Sequence, residues 1–535
     1  MSDTKEPAVS VQQPSTNSSD HAADAGHHLH FAQRGAEVDA VTADSDIDGF
    51  DADRMRARSA LTTDEEKKLM RRVDLRMMTL CSLIFLIKNL DAANISNARI
   101  MNAGTPRNIM TQLHLTSDEY SLLTVLYYIP YIVLEAPSNL LLKRARPSVW
   151  QARIIVSWGI AQLCHVPVKN MGGLYATRFL LGLFEAGMFP GVILQMTYWY
   201  RPDEMSIRLL YFYCLGNFSG VFSGLLAYAF DVASGHGGLS GWQWLFLTEG
   251  ILTVLIGVLV YFALPDFPPT AKWLTDKEKA FIQARLPPNA PRANELNFNL
   301  RELITALKDT RLWLFTLIWA TFTVGTSGVT FYQPTVIANL GYTTIAQAQL
   351  LNLPVSILSI IFIAVSGYFA DRSHWPRPVY PLVVYAIVLA CYGVLVAYPS
   401  DAGVYAATLI GNAATSAFYP LMWPWRVQTT AHATGSAFSI GFVNSYGQIG
   451  GAVGPQIFRA EYAPRYKQSF TAAMACVAAG VVVTLLTWWV TRHTERDTRL
   501  LKRARVTASK KGMTVLEDVV DHDLAEKSSD DESSV

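Results

Sequence analysis

Twelve long apolar segments, six on each side of a charged stretch at residues 265–311, constrain this fold more than any other feature. A helix needs about 20 apolar residues to cross the hydrocarbon core of a bilayer. Long apolar runs cross that core as helices because a helix satisfies its own backbone hydrogen bonds. The sequence therefore predicts an all-α polytopic membrane protein with two six-helix bundles. The predicted spans are residues 77–98, 116–141, 150–169, 172–199, 205–229, 242–264, 312–337, 350–370, 378–398, 402–424, 434–457 and 469–491.

The distribution of charge agrees with this organisation. Asp, Glu, Lys and Arg make up only 16% of the chain, against about 25% in soluble domains. The sequence shows no basic domain for nucleic acid, no metal-ligand set, no catalytic triad and no phosphate-binding loop, which disfavours an enzyme or an ATP-driven pump. The predicted organisation is a disordered tail at residues 1–62, a first bundle at 63–264, a central loop at 265–311, a second bundle at 312–491 and a second tail at 492–535.

Lys and Arg residues in the loops indicate the orientation. Eight of them lie in the central loop, whereas residues 230–241, 339–349 and 399–403, on the other side of the predicted spans, contain none. Cytosolic loops are enriched in these two residues. Both termini and the central loop are therefore predicted to be cytosolic, and the expected location is the plasma membrane.

Two helix starts can be identified from local patterns. Thr63-x-x-Glu66 precedes the first span, and Thr275-x-x-Glu278 lies in the central loop. A threonine followed three residues later by a glutamate is typical of a capping box. Each box is predicted to open a short amphipathic helix on the cytosolic face.

Several short motifs lie in the spans or next to them. Asp91-x-x-Asn94 lies in the first span, and Gly367-Tyr-Phe-Ala-Asp371-Arg372 follows the eighth. Others are Pro130-Tyr131, Glu135-x-Pro137-Ser-Asn139, Arg178-Phe-Leu-Leu-Gly182, Gly241-Trp242-x-Trp244, Leu264-Pro265-Asp266-Phe267-Pro268 and Gly454-Pro455-Gln456. Together, from about Asp74 to about Lys467, they resemble the major facilitator superfamily and, within it, the fungal anion:cation symporters related to allantoate permease.

The resemblance implies a carrier whose two halves rock about a central site. Members of that branch import small organic anions, such as vitamins, ureides and sulfonates, together with protons. We therefore expect a small-molecule anionic substrate, a surrounding lipid bilayer, a monomer, and a proton gradient in place of any cofactor. Gly367, Asp371 and Arg372 would form the cytosolic gate, where the glycine permits close helix approach and the two charges hold neighbouring helix ends.

The first span carries two charges that need an explanation, because charge inside a bilayer normally faces a cavity or a partner. Lys88 and Asp91 are three residues apart and lie on one helix face. The family commonly has Asp-Arg where this chain has Asp91-Ala92, so Lys88 is the nearby cation. Either Lys88 attracts an anionic substrate while Asp91 balances it or titrates, or the two form an ion pair that orders the bundle.

The fourth span carries Arg178 and, about two turns deeper, Glu185. Asp91 is predicted at a depth similar to Arg178, and a pair between them would leave Lys88 free for substrate. Arg178 matches a position that the superfamily links to proton coupling, and a structural clamp is the alternative. Buried carboxyl groups can titrate near neutral pH. Glu185 is the leading candidate for proton coupling, followed by Asp91 and by Glu135, for which a gate or packing role is the alternative.

Uncharged polar residues near mid-span complete the predicted site. Asn94, Asn217, Asn444 and Gln448 are predicted to orient a ligand by hydrogen bonds, and helix–helix contact is the alternative role. The second bundle has almost no charge inside its spans and offers aromatic and amide side chains instead. These are Tyr332, Gln333, Asn352, Asn412, Tyr419, Trp423 and Trp425.

Three functions follow from these observations. Proton-coupled uptake of a small organic anion is the leading hypothesis. Efflux of a metabolite made by the cell is the second, and a nutrient sensor that retains the carrier fold is the third. In each case the first bundle is predicted to recognise charge, and the second to shape the rest of the pocket.

Overall fold

The computed structural model describes residues 31–34, 52–142, 145–201, 204–286, 300–340, 350–372, 375–428, 433–463 and 465–515. Long helices dominate it, because the apolar runs satisfy their backbone hydrogen bonds most fully as helices. Among the described residues, eight helices are long and apolar enough to cross a membrane. The other predicted spans are also helical, so the all-α fold with twelve spans in two six-helix bundles is confirmed.

The first bundle holds six spans, two of which are formed by paired helices. Its helices are α2 (Thr63–Ile100), α4 (Ser117–Leu142), α5 (Pro147–Leu163), α6 (Met171–Glu185) with α7 (Met188–Thr197), α8 (Met205–Asn217) with α9 (Ser219–Val232), and α10 (Gly241–Ala263). Two short helices accompany them, α1 (Ala52–Ser59) before the bundle and α3 (Ile109–Gln112) between its first two spans.

The second bundle repeats this plan after two helices of the central loop, α11 (Asp276–Arg285) and α12 (Leu300–Lys308). Its helices are α13 (Thr310–Asn339), α14 (Leu353–Arg372), α15 (Val379–Ala397), α16 (Asp401–Gln428), α17 (Ala433–Gly447) with α18 (Ile449–Val453), and α19 (Lys467–Lys510). Short 3-10 turns lie at His236–Gly238, Pro268–Thr270, Gly454–Ile457 and Ala460–Tyr462.

A break in the fourth span sets the position of Glu185. Helix α6 ends at Glu185 and α7 begins at Met188, with Gly187 at φ +91° between them. That left-handed conformation favours glycine. A Cβ at Gly187 would also overlap the Ser138 side chain of α4. The glycine thus allows the chain to turn next to α4 and leaves Glu185 at a helix end.

One predicted helix start is confirmed and the other is displaced by one residue. The Thr275 hydroxyl and the Glu278 backbone N–H are 3.3 Å apart, and the Thr275 N–H donates to Glu278 at 3.0 Å. The first box is formed by Thr62 and Glu65, not by Thr63 and Glu66. The pairs Thr62 with Glu65 and Thr63 with Glu66 both have the three-residue spacing that a capping box requires. Glu66 instead forms ion pairs with Arg34 and Arg285, so its carboxylate is engaged elsewhere.

The first capping box also opens a longer helix than predicted. Helix α2 runs without interruption from Thr63 through the first span to Ile100, instead of forming a separate short amphipathic helix. The same holds at the other end of the chain. Helix α19 continues past the predicted end of the last span to Lys510.

The two ends of the chain contact each other. Strand β1 (Phe31–Gln33) pairs antiparallel with β2 (Met513–Val515). Helix α1 packs on α11, where the buried Arg58 guanidinium donates to the Ala284 carbonyl at 2.8 Å. The sequence predicted a disordered segment over residues 1–62, and these parts of it are instead ordered. Their partners lie more than 200 residues away, so local sequence patterns do not reveal the pairing.

Candidate functional site

A cavity of about 470 Å³ lies between the two bundles. Its wall is formed by α2, α4, α6, α7, α8 and α9 from the first bundle, and by α13, α14, α16, α17 and α18 from the second. Cavities of about 300–1,000 Å³ are typical for small-molecule ligands. Because both bundles contribute to the wall, a ligand in this cavity would contact both.

The bundles also contact each other on both sides of the cavity. On the side where α2 begins and α19 ends, here called the tail side, Arg377 donates to the Ser206 hydroxyl at 2.8 Å. On the opposite side, the Ser121 and Tyr332 hydroxyls are 2.9 Å apart, and Gln456 donates to the Ser121 carbonyl at 2.7 Å. The cavity therefore lies between two layers of inter-bundle contacts.

All charged side chains in the described cavity wall come from the first bundle. They are Lys88, Asp91, Arg178 and Glu185. The second bundle contributes aromatic, amide and hydroxyl side chains to the same wall. The cavity is thus chemically asymmetric, with two cations and two carboxyl groups on one face and uncharged polar groups on the other.

Lys88 is half-buried on the cavity wall. In the part of the chain that the structure describes, its amine forms no hydrogen bond or ion pair, although Asp91 lies on the same helix face and Glu135 and Glu185 interact with the amine through space. A partly buried cation without a partner is costly. The amine is therefore available to a ligand in the cavity.

Asp91 is held by neutral donors. Its Oδ2 accepts hydrogen bonds from Trp158 Nε1 of α5 at 2.6 Å and from Thr253 Oγ1 of α10 at 3.1 Å. The ion pairs considered from the sequence, with Lys88 or with Arg178, do not form among the described residues. Trp158 and Thr253 already supply donors to this carboxyl group. The sequence did not indicate either partner, because neutral residues on distant spans give no local signal.

Arg178 and Glu185 share helix α6 and both line the cavity. Arg178 is 4% exposed, and its guanidinium lies 5.3 Å from the centre of the Phe246 ring, within the range of a cation–π interaction. Its Nε and Nη2, and Oε1 of Glu185, have no hydrogen-bond partner in the described structure. Such groups inside a membrane mark ligand or ion pathways.

Lys88 and Arg178 are both close enough to Glu185 to act on it electrostatically. The three groups come from two helices, α2 and α6, and lie on the same wall. An anion that binds the two cations would therefore lie close to the Glu185 carboxyl group. Binding of that anion and protonation of Glu185 would then influence each other.

Glu135 lies outside the cavity wall and is fully buried. Its Oε1 accepts a hydrogen bond from the Asn444 amide of α17. Asn444 lines the cavity, but its N–H is directed to Glu135. The structure thus gives both residues an inter-bundle contact.

The remaining predicted amides have different positions. Asn94 is fully buried, lies outside the wall, and donates to Glu249 of α10. Asn217 lines the cavity while its amide donates to the Tyr213 carbonyl at 2.8 Å. Gln448 lines the cavity at the break between α17 and α18.

The residues predicted to form a gate lie on the tail side. A Cβ at Gly367 would overlap Leu210 of α8, so the glycine brings two helices of different bundles together. Asp371 forms an ion pair with Lys502 of α19. Arg372 donates to the Tyr368 hydroxyl on its own helix, at 2.5 Å, and holds no neighbouring helix through that bond.

Aromatic rings form much of the second bundle's wall. Trp319 lies 5.0 Å from Trp423 and 6.1 Å from Tyr419, measured between ring centres. Tyr332 and Trp425, which were also predicted to shape the pocket, are buried outside the wall. Three tyrosines of α4 also line the cavity, and none of them was predicted to do so, although their spacing places them close together on one helix. They are Tyr127, Tyr128 and Tyr131.

Comparison with known proteins agrees with this architecture. The sequence profile of the family described as Major Facilitator Superfamily matches residues 90–455. The chain is 29% identical over 463 residues to MFS transporter prlL of a fungal species (strain NRRL 50135), covering 84% of this chain and 92% of that protein. It is 28% identical over 478 residues to Major facilitator-type transporter hxnP of Emericella nidulans, covering 85% and 92%.

Solved structures show the same fold. A bacterial homologue of the human lysosomal transporter Spinster, inward-facing and occupied, aligns with a TM-score of 0.56 at 14% identity, over 77% of this chain and 96% of that one. The human organic anion transporter MFSD10 aligns with a TM-score of 0.54 at 12% identity, over 77% and 99%. At these identities the similarity is one of fold.

Proposed function

Because this chain belongs to the major facilitator superfamily, it is a secondary transporter, and we propose that it imports a small organic anion together with protons by alternating access. The resemblance of its motifs to those of the anion:cation symporters supports this proposal. In this proposal the tail side faces the cytosol, and the chain works as a monomer in the plasma membrane.

The observation that carries the proposal is the pair of available cations on the cavity wall. The Lys88 amine has no partner among the described residues, and Arg178 has two guanidinium nitrogens without an acceptor. A carboxylate, sulfonate or ureide anion would supply the missing acceptors. Hydrogen bonds to charged groups contribute about 1.5–3 kcal/mol each, so this recognition favours anions over neutral analogues.

The side chains that the second bundle contributes to the cavity wall indicate the shape of the proposed substrate. Trp319, Tyr419 and Trp423 contribute aromatic side chains to the cavity wall, and Asn412 and Gln333 contribute amide side chains. A ring or other flat apolar body with a few polar groups would fit this wall. The proposed substrate therefore has one anionic end and a flat, partly apolar body.

Proton coupling is assigned to the carboxyl groups of the first bundle, with Glu185 as the leading group. It lines the cavity near both cations, and one of its oxygens has no donor in the described structure. When Glu185 is protonated, the two cations are left to the substrate. When it is ionised, it competes with the substrate for the same cations.

The test is uptake by cells or proteoliposomes that contain the full chain. The panel pairs radiolabelled carboxylates, sulfonates and ureides with their neutral amide analogues, with an acidic or neutral exterior. We expect inward flux of at least one anion, little flux of its neutral analogue, and stimulation by external acid.

Equal transport of an anion and its amide analogue would refute charge recognition. Flux driven only outward by a proton gradient would support an efflux carrier. Acid-independent uptake of an anion would retain the transporter and reject proton coupling.

A further inference from the structure

Two carboxyl groups of the first bundle lie side by side at the edge of the cavity. Asp91 of α2 is 2% exposed and Glu249 of α10 is 1% exposed. The two carboxyl groups interact electrostatically, and each accepts a hydrogen bond from the helix that carries the other. Asp91 also lines the cavity, whereas Glu249 lies behind it.

Two cross-links between α2 and α10 hold this pair in place. Thr253 donates to Asp91 at 3.1 Å, and Asn94 donates to Glu249. Asp91 and Asn94 are three residues apart on α2, while Glu249 and Thr253 are four apart on α10, so each set lies on one helix face. Each carboxyl group therefore receives a neutral donor from the opposite helix.

One oxygen of each carboxyl group lacks a donor. Within the described ranges, Asp91 Oδ1 and Glu249 Oε1 are buried and have no hydrogen-bond partner. Two adjacent carboxylates in apolar surroundings cannot both be ionised without a large electrostatic cost. A proton held between the groups removes that repulsion and provides the missing donor.

The charged groups around the pair do not neutralise it by direct contact. Lys88 lies one turn away on α2, and α6 contributes Arg178 and Glu185, which interact with Asp91 through space. His165, at the end of α5, stacks on Phe246 of α10.

Further charged residues on helices packed against α2 lie near the two ends of α2 or, like Arg311 of α13, in the first turn of their own helix. Arg208 of α8 pairs with Asp74 at 2.8 Å, and Asp231 of α9 accepts from the Asn102 N–H at 2.6 Å. These contacts are far along the helix axis from Asp91, at about 1.5 Å per residue.

We infer that Asp91 and Glu249 form a proton-binding site, in which one proton is shared between the two carboxyl groups and exchanges with the cavity through Asp91. The inference rests on the proposed function, because it gives the co-transported proton a second binding position besides Glu185, on the same cavity wall. With the proton bound, Lys88 and Arg178 remain available to the anion. After the proton leaves, Asp91 bears a charge that can turn toward those cations and displace the anion.

The proton itself is the probe in the test. Infrared difference spectra of the purified full-length chain, recorded across a pH titration, report protonated buried carboxyl groups. Glu249→Gln and Asp91→Asn each replace one carboxyl group by an amide that can donate to its neighbour. We expect a titrating carboxyl band in the wild-type chain and its loss in both variants.

Glu119→Gln, on a half-buried carboxyl group at the start of α4 that accepts from Thr116 and lies outside the cavity wall, is the matched control and should retain the band. A band that persists unchanged in Glu249→Gln or in Asp91→Asn would overturn the inference. Each variant tests the shared proton independently, so the test stands if one of them fails to fold.

Flux measurements separate this inference from the proposed function. For an anion found in the uptake panel, we expect Glu249→Gln to lower the ratio of protons to anions transported by about tenfold or more. If Glu249→Gln and the wild-type chain transport protons and anions in the same ratio, the shared proton site is rejected and the proposed function is retained. Anion flux without proton flux in the wild-type chain would reject the proposed function itself.

Discussion

The Asn444 amide of α17 donates a hydrogen bond to the Glu135 carboxyl group of α4, which joins the two bundles at the edge of the cavity. Both side chains are buried, at 1% and 0% exposure. Any motion that separates α4 from α17 must break this bond. The contact therefore links the closure of the cavity to the state of one buried carboxyl group.

Replacing Asn444 with alanine should destabilise the closed arrangement. The change leaves Glu135 without this donor, and an unsatisfied buried polar group costs about 1–3 kcal/mol. Thermal unfolding of the purified chain should show a lower Tm than for Gln448→Ala, a matched change at a neighbouring cavity amide. The double variant Glu135→Leu with Asn444→Ala removes both partners and should recover part of the loss. If the loss of Tm in the double variant equals the sum of the losses in Asn444→Ala and Glu135→Leu, the result would argue against the bond.

Lys88→Ala should raise the apparent KM for an anionic substrate. Loss of one hydrogen bond to a charged group, about 1.5–3 kcal/mol, corresponds to roughly 10-fold to 150-fold in affinity at 1.4 kcal/mol per factor of ten. Lys88→Arg keeps the charge and should lose less. Initial rates over a range of substrate concentrations measure this effect. The exposed Lys169→Ala is the control, and an equal change in KM for a neutral analogue would contradict charge recognition.

The sequence predicted the spans and the concentration of charge in the first bundle, because both are local properties. Apolar length determines which segments can cross a bilayer. The cost of buried charge then directs Lys88, Arg178 and Glu185 toward a cavity. In the structure these three residues line the same wall.

The partners of those charges could not be predicted in the same way. A pair of Asp91 with Lys88 or Arg178 was one of the alternatives considered from the sequence, yet Trp158 and Thr253 of two other helices bind this carboxyl group. A neutral donor leaves no charge pattern in the sequence, and which helix faces meet depends on packing across the bundle. The pairing of β1 with β2 is similar, since its two strands are separated by almost the whole chain.

Glu185→Gln should make uptake independent of pH while sparing exchange. The amide has nearly the same shape but cannot gain or lose a proton in the physiological range. Exchange of internal for external substrate needs no net proton movement, so it should continue at a rate near that of the wild-type chain. Uptake measured from pH 5 to pH 8, with counterflow measured in the same vesicles, separates the two activities. A pH profile that matches the wild-type chain would assign coupling to other carboxyl groups.

Gly367→Val should open the tail side of the protein. A side chain at Gly367 would overlap Leu210, so α14 and α8 could no longer approach as closely as they do. In a background with the five cysteines replaced by alanine, Ser206→Cys reports on the tail side and Ser121→Cys on the opposite side. With Val at position 367, a polar maleimide should label the tail-side cysteine several-fold faster, because α8 and α14 would be held further apart at Leu210.

Labelling of the opposite-side cysteine should stay the same or slow down in the Gly367→Val background, because the bond from Gln456 to the backbone carbonyl of residue 121 keeps that side closed while the tail side opens. Gly393→Val is the matched control, since a Cβ there meets no neighbouring atom within 4 Å. Equal acceleration at both cysteines would indicate general loosening of the fold, and unchanged labelling at both would show that the close approach at Gly367 does not hold the tail side shut.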